Sequence, residues 1–156
     1  MVLDLAGLLR ALVEADVRFV VIGGIAVAAH SVVRATEDVD IVPAPDAENL
    51  ERLLTVLGRL DAHPLLSPER GIDDGVHQAV LAGRNLTVST RLGDLDVVQR
   101  LPGVPPFADL DAQALETELG GVPIAVCSRE HLVGMKRARS SALDLADLER
   151  LDPQPP

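Results

Sequence analysis

Residues Val21 to Val42 read VIGGIAVAAHSVVRATEDVDIV: an apolar run broken at Gly23 and Gly24, a second short apolar run, and two aspartates one residue apart. The first part completes RFVVIGG (Arg18 to Gly24), a β-branched stretch of the kind that forms a strand buried on both faces. IAVAAHSVV has the composition of a short helix. DVDIV (Asp38 to Val42) alternates acid with aliphatic before Pro43 and Pro45, as a strand does. Strand, glycine turn, helix, strand is the reading that puts the chain in the α/β class.

Outward from this stretch, Leu5, Leu8, Leu9 and Leu12 recur at helical spacing behind a capping Asp4, predicting an opening helix that ends near Asp16. Asp46 can cap a second helix, whose stripe is Leu50, Leu53, Leu54 and Leu57 and whose stop is Gly58. Asp61 to Gly75 mixes Pro, Gly and charge and predicts a loop with a short strand inside it. HQAVLA, LTVSTRL and DLDVVQ predict three short strands, and Pro105 to Leu119 a helix. VPIAVCS (Val122 to Ser128) predicts a further strand, followed by helices over Arg129 to Arg139 and Leu143 to Leu151.

The 156 residues suit one domain, expected over residues 1–152 with a disordered tail at 153–156. With two Phe and neither Trp nor Tyr, the core is aliphatic. A net charge of −10 argues against an autonomous nucleic-acid binder, which needs clustered Lys and Arg to neutralise phosphates and aromatic rings on which bases stack. A single cysteine, Cys127, leaves no internal disulfide and no thiolate zinc cluster, and reads as a buried thiol in an aliphatic strand. The acidic N-terminus lacks the pattern of a signal peptide, and Phe19 to Ala29 is too short to span a bilayer, so a cytoplasmic setting is expected. His63, His77 and His131 show no ligand spacing.

Side chains on a strand alternate between faces, so Asp38 and Asp40 project to one side while Val39 and Ile41 project to the other. Two carboxylates ~7 Å apart at Cα repel when buried alone, and a divalent cation reverses that sign. Oxygen ligands favour a hard ion, Mg2+ above all. GDLDVV repeats the arrangement with Asp94 and Asp96. If the two strands are neighbours, a third carboxylate joins the pair, and such a set can clamp a transferring phosphoryl group. The alternative is a solvated acidic face with no ligand. Gly23 and Gly24 add backbone N–H groups at a strand end, although the stretch is neither a dinucleotide fingerprint nor a P-loop.

Together, Gly23 and Gly24, then His30, Arg34, Thr36, Asp38 and Asp40, resemble the nucleotidyltransferase superfamily, and most closely the AbiEii-type group found among type IV toxin–antitoxin systems. STRLGDLDVVQRLPG is similar to the family's third-carboxylate strand, which puts that acid at Asp96 rather than Asp94. EHLVGMKRARSSALDLADLERL resembles its closing lysine, basic helix and Asp-bearing helix. The resemblance covers nearly the whole chain, with the motifs in the family's order. It departs where the family carries an Arg-Pro-Lys-Asp-like run, since Ser141, Ala142 and Leu143 precede Asp144 here.

The resemblance implies a single-domain α/β (α+β) fold with a nucleotidyltransferase-like mixed sheet flanked by helices. It also implies a two-metal Mg2+ enzyme that moves an NMP from an NTP, with ATP among the candidates, to an acceptor hydroxyl. Asp38, Asp40 and Asp96 would be the catalytic and metal-binding acids; Gly23, Gly24, Arg34, Thr36, Lys136 and Asp144 would bind the nucleotide. The acceptor would be RNA such as tRNA, a small molecule as in antibiotic-modifying relatives, or a protein, and a cognate antitoxin would be a partner. A non-catalytic nucleotide- or partner-binding module is the contrasting reading. Ordinary structural roles compete with these: Lys136, Arg137 and Arg139 favour a helix C-terminus, Ser141 and Asp144 have capping-box spacing, and His30 suits a hydrogen-bonded packing role.

Overall fold

The leucine-rich opening forms helix α1 (Leu5–Glu14), and the Asp4 carboxylate accepts from the Gly7 N–H at 3.0 Å, as an N-cap should. In this computed structural model, which describes residues 4–30 and 38–151, Leu8, Leu9 and Leu12 are fully buried. Each contributes roughly 2 kcal/mol by leaving water. The β-branched run becomes strand β1 (Phe19–Ile22), buried at every position, and helix α2 (Gly23–Ala29) starts at once. Strand β2 (Asp38–Pro43) returns antiparallel to β1, with Ile22 opposite Asp40 and Phe19 opposite Pro43. Pro43 is tolerated because the β2–β5 pairing ends at Ile41 and the next bond to the β1 side is made by the Ala44 N–H, so no ladder bond needs an N–H at residue 43.

Helix α3 (Ala47–Arg59) is capped by Asp46, and Gly58 does not stop it: the helix runs one residue further, and the reversal falls on Asp61 at φ 54°. Asn49, buried in its first turn, receives the Arg18 N–H at 2.7 Å and donates to the carbonyls of Arg18 and Ala44, both at 2.9 Å. This one amide ties the start of β1 to α3. The expected loop holds the two-residue strand β3 (His63–Pro64).

Two elements differ from the sequence reading. HQAVLA is not a strand but part of helix α4 (Asp74–Leu81). Asp73 caps it by accepting from the Val76 N–H at 2.9 Å, and Val76 and Val80, four apart, pack against Leu50 and Leu54 of α3. Strands β4 (Leu86–Thr90) and β5 (Gly93–Val97) follow as a hairpin. The expected helix from Pro105 to Leu119 is only α5 (Phe107–Ala112); the rest is strand β6 (Leu115–Leu119), antiparallel to β7 (Val122–Val126). Gly120 and Gly121, both at positive φ, make the two-residue turn, and cross-strand pairing overrides the helical preference of Leu and Glu. The chain closes with α6 (Arg129–Arg139) and α7 (Ala142–Leu151).

The seven strands form one mixed sheet in the order β3-β4-β5-β2-β1-β7-β6. β2 and β5 run parallel, as do β1 and β7; the other neighbours are antiparallel. The core is aliphatic, as the composition requires, with Val39, Ile41, Leu95 and Val97 among its fully or almost fully buried members. Among the described residues no helix is long and apolar enough to cross a membrane. Arg34 and Thr36, and the tail at 153–156, lie outside the described residues.

Candidate active site

The parallel pairing of β2 with β5 sets Asp38 opposite Asp94 and Asp40 opposite Asp96. Directly opposed residues face the same way, so four acids lie on one side of the sheet while Val39, Ile41, Leu95 and Val97 fill the core on the other. Asp38, Asp40 and Asp96 each offer one oxygen within 4.8 Å of the others. No other such trio of His, Cys, Asp or Glu is found among the described residues. Asp94, the acid the family comparison passes over, is not in the cluster.

Gly23, the first residue after β1, shows why a glycine must follow that strand. Its φ is +72°, and a Cβ there would lie 2.2 Å from Asp40 Oδ2. The Asp40 carboxylate therefore fills the space that a side chain on residue 23 would need. Burial, followed by the neighbouring Asp38 charge and then by Asp96, pushes the Asp40 carboxyl up from 3.8 to about 7, while the charge of Lys136 pulls the other way. Three hard oxygen donors, one of them holding a proton far above its usual range, fit a divalent cation, whose charge would relieve the repulsion among them.

The acids open into a cleft of about 540 Å3. Gly23 and Gly24 line it beside the acids, with Val98, Leu101, Val104, Met135 and Leu143 among its apolar residues and Lys136, Arg139 and Asp144 among its polar ones. Lys136 is 4% exposed, with Nζ 3.1 Å from Asp144 and 3.3 Å from Asp147. Asp144 is fully buried. Burial alone would raise its carboxyl, but hydrogen bonds from Arg139, Ser141 and Lys136 hold it well below the usual range. Arg139 grips it through Nε at 2.6 Å and Nη2 at 2.7 Å. Ser141 and Asp144 also make the reciprocal capping box that their spacing suggests: each N–H donates to the other's side chain at 3.1 Å. Lys136 and Asp144 thus line the cleft while engaging each other.

His30 has its Nε2 3.0 Å from the carbonyl oxygen of Cys127, a packing contact between α2 and the end of β7. The Cys127 thiol is fully buried, and burial pushes it up to about 12, so it is inert. Sequence reasoning missed Thr87, whose hydroxyl donates to Asp96 Oδ1 at 2.5 Å. Counting back from the β4–β5 turn would have placed it opposite Asp96. It also missed Asp147, because a second acid on the closing helix has no meaning until Lys136 is seen to be buried.

By sequence the chain matches no protein-family model and no curated protein. Its fold matches solved nucleotidyltransferases. ANT(2'')-Ia in complex with adenylyl-2''-tobramycin superposes with a TM-score of 0.58 at 16% identity, over 92% of this chain and 82% of that one. The solution structure of the same antibiotic-resistance factor gives 0.51 at 16%, over 92% and 84%. An antigenic nucleotidyltransferase-like protein from Paracoccidioides brasiliensis gives 0.54 at 19% identity, over 94% and 72%. At these identities the shared property is the fold: a mixed α/β nucleotidyltransferase-like sheet.

Proposed function

We propose that the protein is a divalent-metal-dependent nucleotidyltransferase that moves an NMP from an NTP, ATP among the candidates, to an acceptor hydroxyl. The observation that carries this reading is the convergence of Asp38, Asp40 and Asp96, from two adjacent strands, at the edge of a cleft of nucleotide size. Asp38, Asp40 and Asp96 would hold Mg2+, which when bound neutralises phosphate charge and polarises the phosphoryl group. Gly23 and Gly24 let the triphosphate approach the backbone beside the acids. Asp96 takes the acceptor's proton; the acceptor oxygen bonds to the α-phosphorus as its bond to pyrophosphate breaks. Arg139, 59% exposed at the cleft, is the cation best placed to meet the leaving phosphates, while Lys136 anchors the wall behind it. Arg34 and Thr36 complete the nucleotide-binding set that the family resemblance implies.

For the acceptor, a small molecule is favoured over RNA. An RNA strand needs a positive strip, and here the charges of Lys136 and Arg139 on α6 are offset in part by Asp144 and Asp147, while Arg84 and Arg91 lie in the loops on either side of β4. The AbiEii-type, toxin-like reading, with RNA or tRNA as acceptor and an antitoxin partner, remains the second possibility on the strength of the sequence motifs.

The test incubates the protein with Mg2+ and each labelled NTP, with aminoglycosides, total RNA or protein as acceptors, beside Asp38→Asn. Transfer by the wild type that Asp38→Asn abolishes is expected. Transfer that survives the substitution, or neither transfer nor NTP binding by the wild type, would end the proposal.

A further inference from the structure

The third carboxylate stands in a row that crosses the sheet. Thr87 of β4 is opposite Asp96 of β5, Asp96 is opposite Asp40 of β2, and Asp40 is opposite Ile22 of β1, the residue before Gly23. Opposed residues share a face, so the Thr87 hydroxyl lies beside the acids. An aspartate on an open face ordinarily has a broad choice of terminal torsion. Here one oxygen of Asp96 is taken: Thr87 Oγ1 donates to Oδ1 in a short hydrogen bond of 2.5 Å. Threonine suits the task because its β-branch restricts χ1 and so aims the hydroxyl.

We propose that Thr87 is a positioning residue, whose hydroxyl holds the Asp96 carboxylate in the orientation at which Asp38, Asp40 and Asp96 converge on one divalent cation. The inference rests on the metal-dependent reading above and adds a fourth residue to it. A purely structural Thr–Asp pair would support the β4–β5 hairpin instead. The two roles separate in a Thr87→Val variant, which keeps the side-chain shape, favours a strand and lacks the donor.

The experiment titrates Mn2+ into the full chain without nucleotide, following free Mn2+ by its paramagnetic resonance signal, for wild type, Thr87→Val and Thr87→Ser. Thr87→Val is expected to weaken Mn2+ binding about tenfold, the lower end of the effect of losing a hydrogen-bond partner to a metal ligand. Thr87→Ser, which keeps the donor, should bind within about threefold of wild type. The urea midpoint of Thr87→Val should be unchanged, which a structural role would not allow. Equal Mn2+ binding by wild type and Thr87→Val, or equal loss in Thr87→Ser and Thr87→Val, overturns the inference while leaving the metal site standing. A wild type that binds no Mn2+ overturns the metal site and the inference together.

Discussion

Gly23 and Asp40 are one unit at the scale of the residue, because the glycine exists in its left-handed conformation to make room for the carboxylate. Gly23→Ala should therefore cost about 2 kcal/mol in urea unfolding, from the backbone strain of an L-residue there. It should also displace Asp40 and weaken divalent-ion binding; unchanged binding would mean that the carboxylate has room elsewhere. The proton on Asp40 gives a second prediction. Its carboxyl titrates at about 7 in the folded protein against 3.8 for the free group, so between those values the folded state holds a proton that the unfolded chain has lost. Stability without metal must fall as pH rises through that window. Asp73 and Asp144 are shifted downward, so their stabilising contributions are already complete before the window opens. Thermal melts should show the decline in the wild type and not in Asp40→Asn, and Mg2+ should raise the midpoint more at about pH 8 than at about pH 5. An Mg2+ effect independent of pH would separate Asp40 from the cation.

Between elements, α6 and α7 are joined by a buried cluster of charges. Lys136, Asp144 and Asp147 are buried together, with Arg139 and Ser141 closing the cluster from outside. Removing one member of a buried ionic set strands the others, so Lys136→Met should lose about 3 kcal/mol by urea unfolding. A loss below about 1 kcal/mol, the range of exposed pairs, would show that water reaches the cluster. The elements were legible wherever cap and stripe agreed: Asp4 and Asp46 announced α1 and α3, and the β-branched run announced β1. They were misread where one signal masked another. Gly75 inside α4 hid the cap at Asp73 and the Val76–Val80 spacing, and the helix-forming composition of LETEL hid an alternating strand beside a Gly-Gly turn.

For the whole molecule, the strand DVDIV could be read from composition, but its parallel alignment with β5 could not, because register is a relation between segments. That alignment brings both Asp94 and Asp96 to the face of Asp38 and Asp40, and of the two it is Asp96, the acid the family resemblance suggested, whose oxygen lies within 4.8 Å of theirs. Charge is the other global property. With a net charge of −10, and with Lys136 and Arg139 of the cleft paired to acids, the protein should not retain tRNA in a gel-shift assay at about 0.15 M salt without NTP. Retention that weakens steeply with added salt would reinstate RNA as the acceptor.

The β2–β5 alignment also bears on the order of folding. The β4–β5 hairpin can form from near neighbours, whereas β2 and β5 meet only after the long segment between them has closed. A cation held by both strands can act only on the docked pair. In stopped-flow measurements Mg2+ should therefore slow unfolding and leave the refolding rate as it was. Faster refolding would instead put the meeting of β2 and β5 inside the folding nucleus.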